Sequence, residues 1–193
     1  CRCGEKVTAM EFTDHVMSCN ELEGFTGIHR HDVVARAIIK VLRRHDFVVV
    51  NAITGMHDGS AHKADFLVFF SPGGRLCVDV SVTHPCASNH VAAASTAPGS
   101  AATKREEAKE KKHGQAARAH DFRFCPWVFE TFGRWGDAFS KDMAALENCT
   151  TRPLEFRADM RREVATAIQQ GNADMLVHAA IVTGGARLSC NLA

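Results

Sequence analysis

The chain has 193 residues, 46% of them hydrophobic, so it carries enough apolar material for a packed core without disulfide staples. Its formal charge of +1 conceals local clusters of basic residues at 30–44, 104–118 and 152–162, and global charge therefore decides nothing about nucleic acid. No long apolar segment, internal repeat, Walker loop, dinucleotide fingerprint or nucleophile elbow occurs, which sets aside membrane spans, nucleotide-cradling enzymes and serine hydrolases.

In chain order, Cys1, Cys3, His15 and Cys19 come first. Thiolates and an imidazole close a tetrahedral zinc site, and His-x3-Cys has ordinary ligand spacing although Cys-x-Cys is tight. The competing reading is incidental cysteines. A start at Cys1 suggests a piece of a longer polyprotein. Cys77, Cys86, Cys125 and Cys190 are widely spaced and are expected as free thiols. Val33, Val34, Ala37, Ile38, Val41 and Leu42 mark an amphipathic helix that packs on a sheet. Asp32 at its start reads as the helix cap, or as a third acid reaching a metal through water.

A strand from Phe47 to Asn51 and a polar loop from Met56 to Ala61 follow, and then comes Lys63-Ala64-Asp65. Phe66 to Phe70 is apolar on both faces, as in a central strand. Ser71 to Gly74 is a turn signal that makes a hairpin with the next strand. There Leu76, Val78, Val80 and Val82 alternate with Cys77, Asp79, Ser81 and Thr83, so Asp79 points away from the Leu/Val row. Register decides whether the two aspartates meet. An odd loop sets Asp65 opposite Asp79, and a four-residue loop sends it to the other face.

Residues 84–100 read as a long, mobile, small-residue loop able to touch DNA. Residues 101–113 are rich in alanine, glutamate and lysine and favour helix, with Lys109, Lys112 and His113 together on one face. Phe122 to Phe129 reads as a strand, a turn around Trp135 leads into a helix from Ala138 to Leu146, and Arg152–Gln170 and Ala173–Ala180 read as two helices split by Gly171 and Asn172. His57, His62, His84, His90 and His120 lack ligand spacing and are expected in loops or at the surface.

Two aspartates on neighbouring strands followed by lysines suit metal-dependent phosphodiester hydrolysis. Mg²⁺ or Mn²⁺ takes oxygen ligands and is held by one or two carboxylates plus the substrate phosphate, while an ammonium stabilises charge beside it. The lysine is open among Lys104, Lys109 and Lys112. Lys104 sits near the helix start, where an ammonium opposes the dipole, which favours Lys109 and then Lys112.

These residues together resemble the restriction-like endonuclease domain of site-specific non-LTR retrotransposons, a branch of the PD-(D/E)XK superfamily. The resemblance covers nearly the whole chain: the cysteine-rich start, Arg30-His31-Asp32, Lys63-Ala64-Asp65, Val78-Asp79-Val80, the lysine helix, and the block from Phe124 to Gly133. It implies that Asp65 and Asp79 bind the divalent metal and that Lys109 or Lys112 is catalytic. It also implies a structural zinc on Cys1, Cys3, His15 and Cys19. Ala64 stands where proline is usual, Ser81 where the general superfamily has its lysine, and His113 where these domains often carry tyrosine.

The resulting expectation is an α/β restriction-endonuclease-like core, a short mixed sheet flanked by helices. It comprises a zinc-knuckle-like segment (1–24), a nuclease core (25–147) and a C-terminal helical extension (148–193). By resemblance it nicks double-stranded target DNA in the nucleus, beside the reverse transcriptase and RNA of its own element, with no membrane partner. Arg30, Lys63, Lys104, Arg105 and His113 are the expected nucleic-acid contacts. The competing classes are a catalytically decayed nucleic-acid-binding module and a branched-DNA resolvase.

Overall fold

The computed structural model describes residues 3, 6–8, 10–19, 27–51 and 64–182. Within them a four-stranded mixed sheet runs in the order β1 (Val48–Asn51), β2 (Phe66–Phe70), β3 (Gly74–Thr83), β4 (Arg123–Glu130). β1, β2 and β3 are antiparallel neighbours, and β4 joins β3 in parallel. A parallel pair needs a crossover, and the connection from β3 to β4 supplies it through α3 (Val91–Ala94) and α4 (Ser100–Ala119).

Period-two patterning gives the sheet two apolar faces. Phe66, Val68, Leu76, Val78, Val80, Cys125, Trp127 and Phe129 point into the main core, and Leu67, Cys77 and Phe124 into a smaller cluster on the opposite side with Ala117 of α4. α2 (Gly27–Arg44), α5 (Asp137–Glu147) and α6 (Pro153–Val182) close the main core. α2 contributes Val34, Ile38, Val41 and Leu42 at helical spacing, and α6 contributes Phe156, Met160, Val164 and Ile168. Each fully buried side chain of this size adds about 1.5–3 kcal/mol of transfer free energy. Asp142 of α5 sits at the edge of this core, 3% exposed, and is satisfied by the Trp127 indole N–H at 2.8 Å and Arg123 at 2.6 Å.

Four expectations change here. Residues 84–100 are turns around the short helix α3 rather than one long loop, and the lysine helix continues to Ala119. The expected break at Gly171 and Asn172 is absent, since α6 runs unbroken through both. Gly171 is instead a packing residue: a Cβ there would stand 2.7 Å from Arg30 Cγ and 3.0 Å from Arg30 Cα, so its missing side chain lets α2 and α6 approach. Asp32 is not the cap of α2, because that helix already begins at Gly27.

α1 (Phe12–Ser18) docks on the end of α6 through Val16, Met175 and Ala179. The 30-residue α6 thus serves both the main core and α1. No described helix is long and apolar enough to cross a membrane.

Candidate active site

The hairpin that delivers the two acids turns through Ser71, Pro72 and Gly73, because Phe70 pairs with Gly74. That odd loop, with Gly73 at φ +71° supplying the left-handed residue, pairs Phe66 with Val78. Asp65 immediately precedes β2, so that register continued by one step would set it opposite Asp79, and its N–H donates to the Val78 carbonyl at 2.8 Å. Both carboxylates lie on the face away from Phe66 and Val78. Their shared field reaches Cys77 on that face, whose thiol is pushed up to about 11, first by burial and then by the charges of Asp79 and Asp65.

Each acid is half committed to the protein. Asp65 Oδ2 accepts the Val80 N–H at 2.6 Å, standing in for the carbonyl that an extended β2 would offer, and also meets His31 Nε2 at 2.9 Å. Asp79 Oδ1 accepts from the Lys109 ammonium at 2.6 Å, and both of those side chains are only 13% exposed. Among the described residues, Asp65 Oδ1 and Asp79 Oδ2 accept no hydrogen bond. Each carboxylate thus keeps one oxygen free of hydrogen bonds among the described residues, and carboxylate oxygen is the donor type that hard divalent ions take.

Lys109 arrives by helical geometry. At about 100° per residue, Ala102, Glu106, Lys109, His113 and Ala117 fall on one stripe of α4, and that stripe faces the sheet. Ala102, Glu106 and Ala117 are buried, and His113 stacks on Phe124 with ring centroids 5.8 Å apart. Lys112 is rotated by about 60° from Lys109 and is exposed, so the helix separates two lysines that share a face only loosely. Lys104 and Arg105 are also exposed on α4. Lys63 and Cys1 lie outside the described residues, as do His57, His62 and Cys190.

Arg30 does not belong to the expected DNA surface. It is 3% exposed, with its guanidinium donating to the Met17 carbonyl and the Asn172 side chain, both at 3.2 Å, and burial pulls it down to about 10. It ties α1 and α6 to α2. The helix cluster 30–44 therefore does not present all its basic residues to a partner.

The residue that sequence reasoning assigned no role is His31. Its Nδ1 lies 2.9 Å from Asp32 Oδ1 and its Nε2 2.9 Å from Asp65 Oδ2, so one imidazole spans two carboxylates. Burial opposes the charged ring, but the hydrogen bonds and charges of Asp65 and Asp32 outweigh it and raise His31 to about 9. With both nitrogens donating, the ring fixes Asp65 Oδ2. The available signal was the adjacent pair His31 and Asp32 on the amphipathic helix, but adjacency cannot disclose which strand the ring meets.

Beside α1, Cys3, His15 and Cys19 do converge. Their ligand atoms lie within 4.8 Å of one another, with Cys3 Sγ 3.5 Å from His15 Nε2. His84 departs from its expected surface position: it is 4% exposed and hydrogen-bonded on both nitrogens. No protein-family model matches this chain, and no curated protein does.

Proposed function

We propose that this chain is a metal-dependent DNA endonuclease whose acids are Asp65 and Asp79 and whose lysine is Lys109. The observation that carries the reading is the buried Lys109–Asp79 pair on the strand next to the one that Asp65 leads into: a strand entry bearing Asp65, a strand interior bearing Asp79, and a helix stripe bearing Lys109. A buried lysine–aspartate pair alone would serve structure. The second carboxylate, Asp65, caps the Val80 N–H and is held by a histidine from a further helix through the same oxygen, which leaves Oδ1 beyond what those structural contacts use.

In this reading Asp65 Oδ1 and Asp79 Oδ2 would hold Mg²⁺ or Mn²⁺, which when bound supplies Lewis-acid activation of the phosphate and an acidified water. Lys109 neutralises Asp79 and places an ammonium where phosphoryl charge accumulates. His31 and Asp32 keep Asp65 in one orientation, the part an outer-shell pair plays around a metal ligand. Lys104, Arg105 and Lys112, exposed along α4, would track the phosphate backbone without reading sequence. The resemblance to retrotransposon nucleases extends the proposal to nicking chromosomal DNA in the nucleus for a reverse transcriptase of the same polyprotein. The cluster of Cys3, His15 and Cys19, completed by Cys1, would hold a structural zinc.

The test is nicking of supercoiled plasmid in Mn²⁺, wild type beside Asp79→Asn and Asp65→Asn. Nicking lost in both variants, with DNA binding retained, is the expected result. DNA binding without nicking in the wild type would favour the decayed binding module, and equal nicking by all three proteins would remove the aspartates from the reaction. Preferential cleavage of four-way junctions would favour the resolvase.

A further inference from the structure

α1 presents a second set of donors on the side of its turn next to His15. Its docking on α6 through Val16 brings Asp14 against the segment leaving β3, where Asp14 Oδ1 lies 3.0 Å from His84 Nε2. The His84 ring is buried, its edge against Phe132 at 5.6 Å between centroids. Two residues on, Cys86 brings in a thiol, and the ligand atoms of Asp14, His84 and Cys86 all lie within 4.8 Å of one another. A hydrogen-bonded Asp14–His84 dyad would hold α1 in place without any cysteine. The third donor is what a dyad does not need.

We infer that Asp14, His84 and Cys86 form a second metal site, taking a borderline-soft divalent ion of the Zn²⁺ class and separate from the cluster of Cys3, His15 and Cys19. One carboxylate oxygen, one imidazole nitrogen and one thiolate make a poor shell for Mg²⁺ or Ca²⁺, which take oxygen, and a good one for Zn²⁺, with a fourth position left for water. Thr131 supplies the supporting shell. Its hydroxyl lies 2.7 Å from His84 Nδ1, and its backbone is held by the Thr83 carbonyl at 3.0 Å and the Asn172 side chain at 2.8 Å. A hydroxyl both donates and accepts, so it serves either tautomer of the ring. Without metal it donates to Nδ1 while Nε2–H faces Asp14; with metal on Nε2 the ring proton resides on Nδ1 and the hydroxyl accepts it. Binding then releases one proton, from the Cys86 thiol. α1 would carry adjacent ligands to two metals, Asp14 to one and His15 to the other. This inference is independent of the nuclease reading.

The test uses the full chain, stripped with chelator and titrated with Co²⁺, whose thiolate charge-transfer band and visible bands count tetrahedral sites. Two equivalents are expected for the wild type. Cys86→Ser and His84→Gln should each lose one equivalent and keep the other, while Cys3→Ser should lose the opposite one. Far-UV circular dichroism establishes that each variant is folded, and because Cys86 is partly exposed, Cys86→Ser remains informative if His84→Gln does not fold. A single wild-type equivalent abolished by Cys3→Ser and untouched by Cys86→Ser would overturn the site. So would Co²⁺ uptake at the second position only at millimolar metal, or two equivalents that survive both Cys86→Ser and His84→Gln.

Discussion

Replacing Lys109 by methionine keeps an apolar stem on α4 but removes the only charge that pairs with Asp79 among the described residues. At 2.6 Å the gross attraction at an effective dielectric near 20 is about 6 kcal/mol, most of which desolvation of the two groups offsets. A charged hydrogen bond retains a net ~1.5–3 kcal/mol, and removing one member of a fully buried pair costs about 3–5 kcal/mol. With both side chains 13% exposed, Lys109→Met should fall below that range, at roughly 2–3 kcal/mol. Asp79→Asn leaves an ammonium that can turn toward solvent and should cost less, about 1 kcal/mol. The double variant Asp79→Asn/Lys109→Met should lie within about 1 kcal/mol of the wild type, giving a coupling energy near 2 kcal/mol. Equilibrium urea denaturation in EDTA measures all four proteins without reference to any enzymatic activity. A coupling energy below about 0.5 kcal/mol would refute the pairing as the anchor of Lys109.

Gly171→Ala tests the helix contact: helix propensity alone predicts a gain of about 1 kcal/mol, whereas the close approach of Arg30 predicts a net loss of about 1–3 kcal/mol, and a raised melting temperature would contradict the packing argument. Burial raises Glu106 from 4.5 to about 6, so the contribution of this group to stability should be greatest below pH 4.5 and be lost as pH rises through 6. Glu106→Gln keeps an acceptor for the Ala138 N–H and should gain on the wild type by up to about 2 kcal/mol over that window; melting curves whose separation is the same at pH 4.5 and 7.5 would count against the shift. His31→Ala should lower Mn²⁺-dependent nicking by about 10- to 100-fold with DNA affinity unchanged in a gel-shift titration, and unaltered nicking would show that Asp65 needs no such support.

Local chemistry made much of this protein legible from its residues. The alternation around Asp79, the two-sided apolar run of β2 and the turn at Ser71 to Gly74 define a hairpin because strand periodicity and turn preference act over a few residues. The composition of residues 101–113 marked the helix α4 for the same reason, and the place of Lys104 near its start is what ranked Lys109 ahead of it. Register was the first thing beyond local reach, since three or four residues in one loop decide which face receives Asp65, and the pairing of Phe70 with Gly74 settled it. Contacts distant along the chain went unread altogether. His31 meets Asp65, His84 meets Asp14, and Arg30 is buried at Asn172 because α2, α1 and α6 pack together, and burial reverses what a charged or polar side chain signals in sequence. Gly171 is the sharpest instance. Read locally it stops a helix; in the packed protein it is the gap that lets two helices touch, because tertiary contact outweighs a propensity of about 1 kcal/mol.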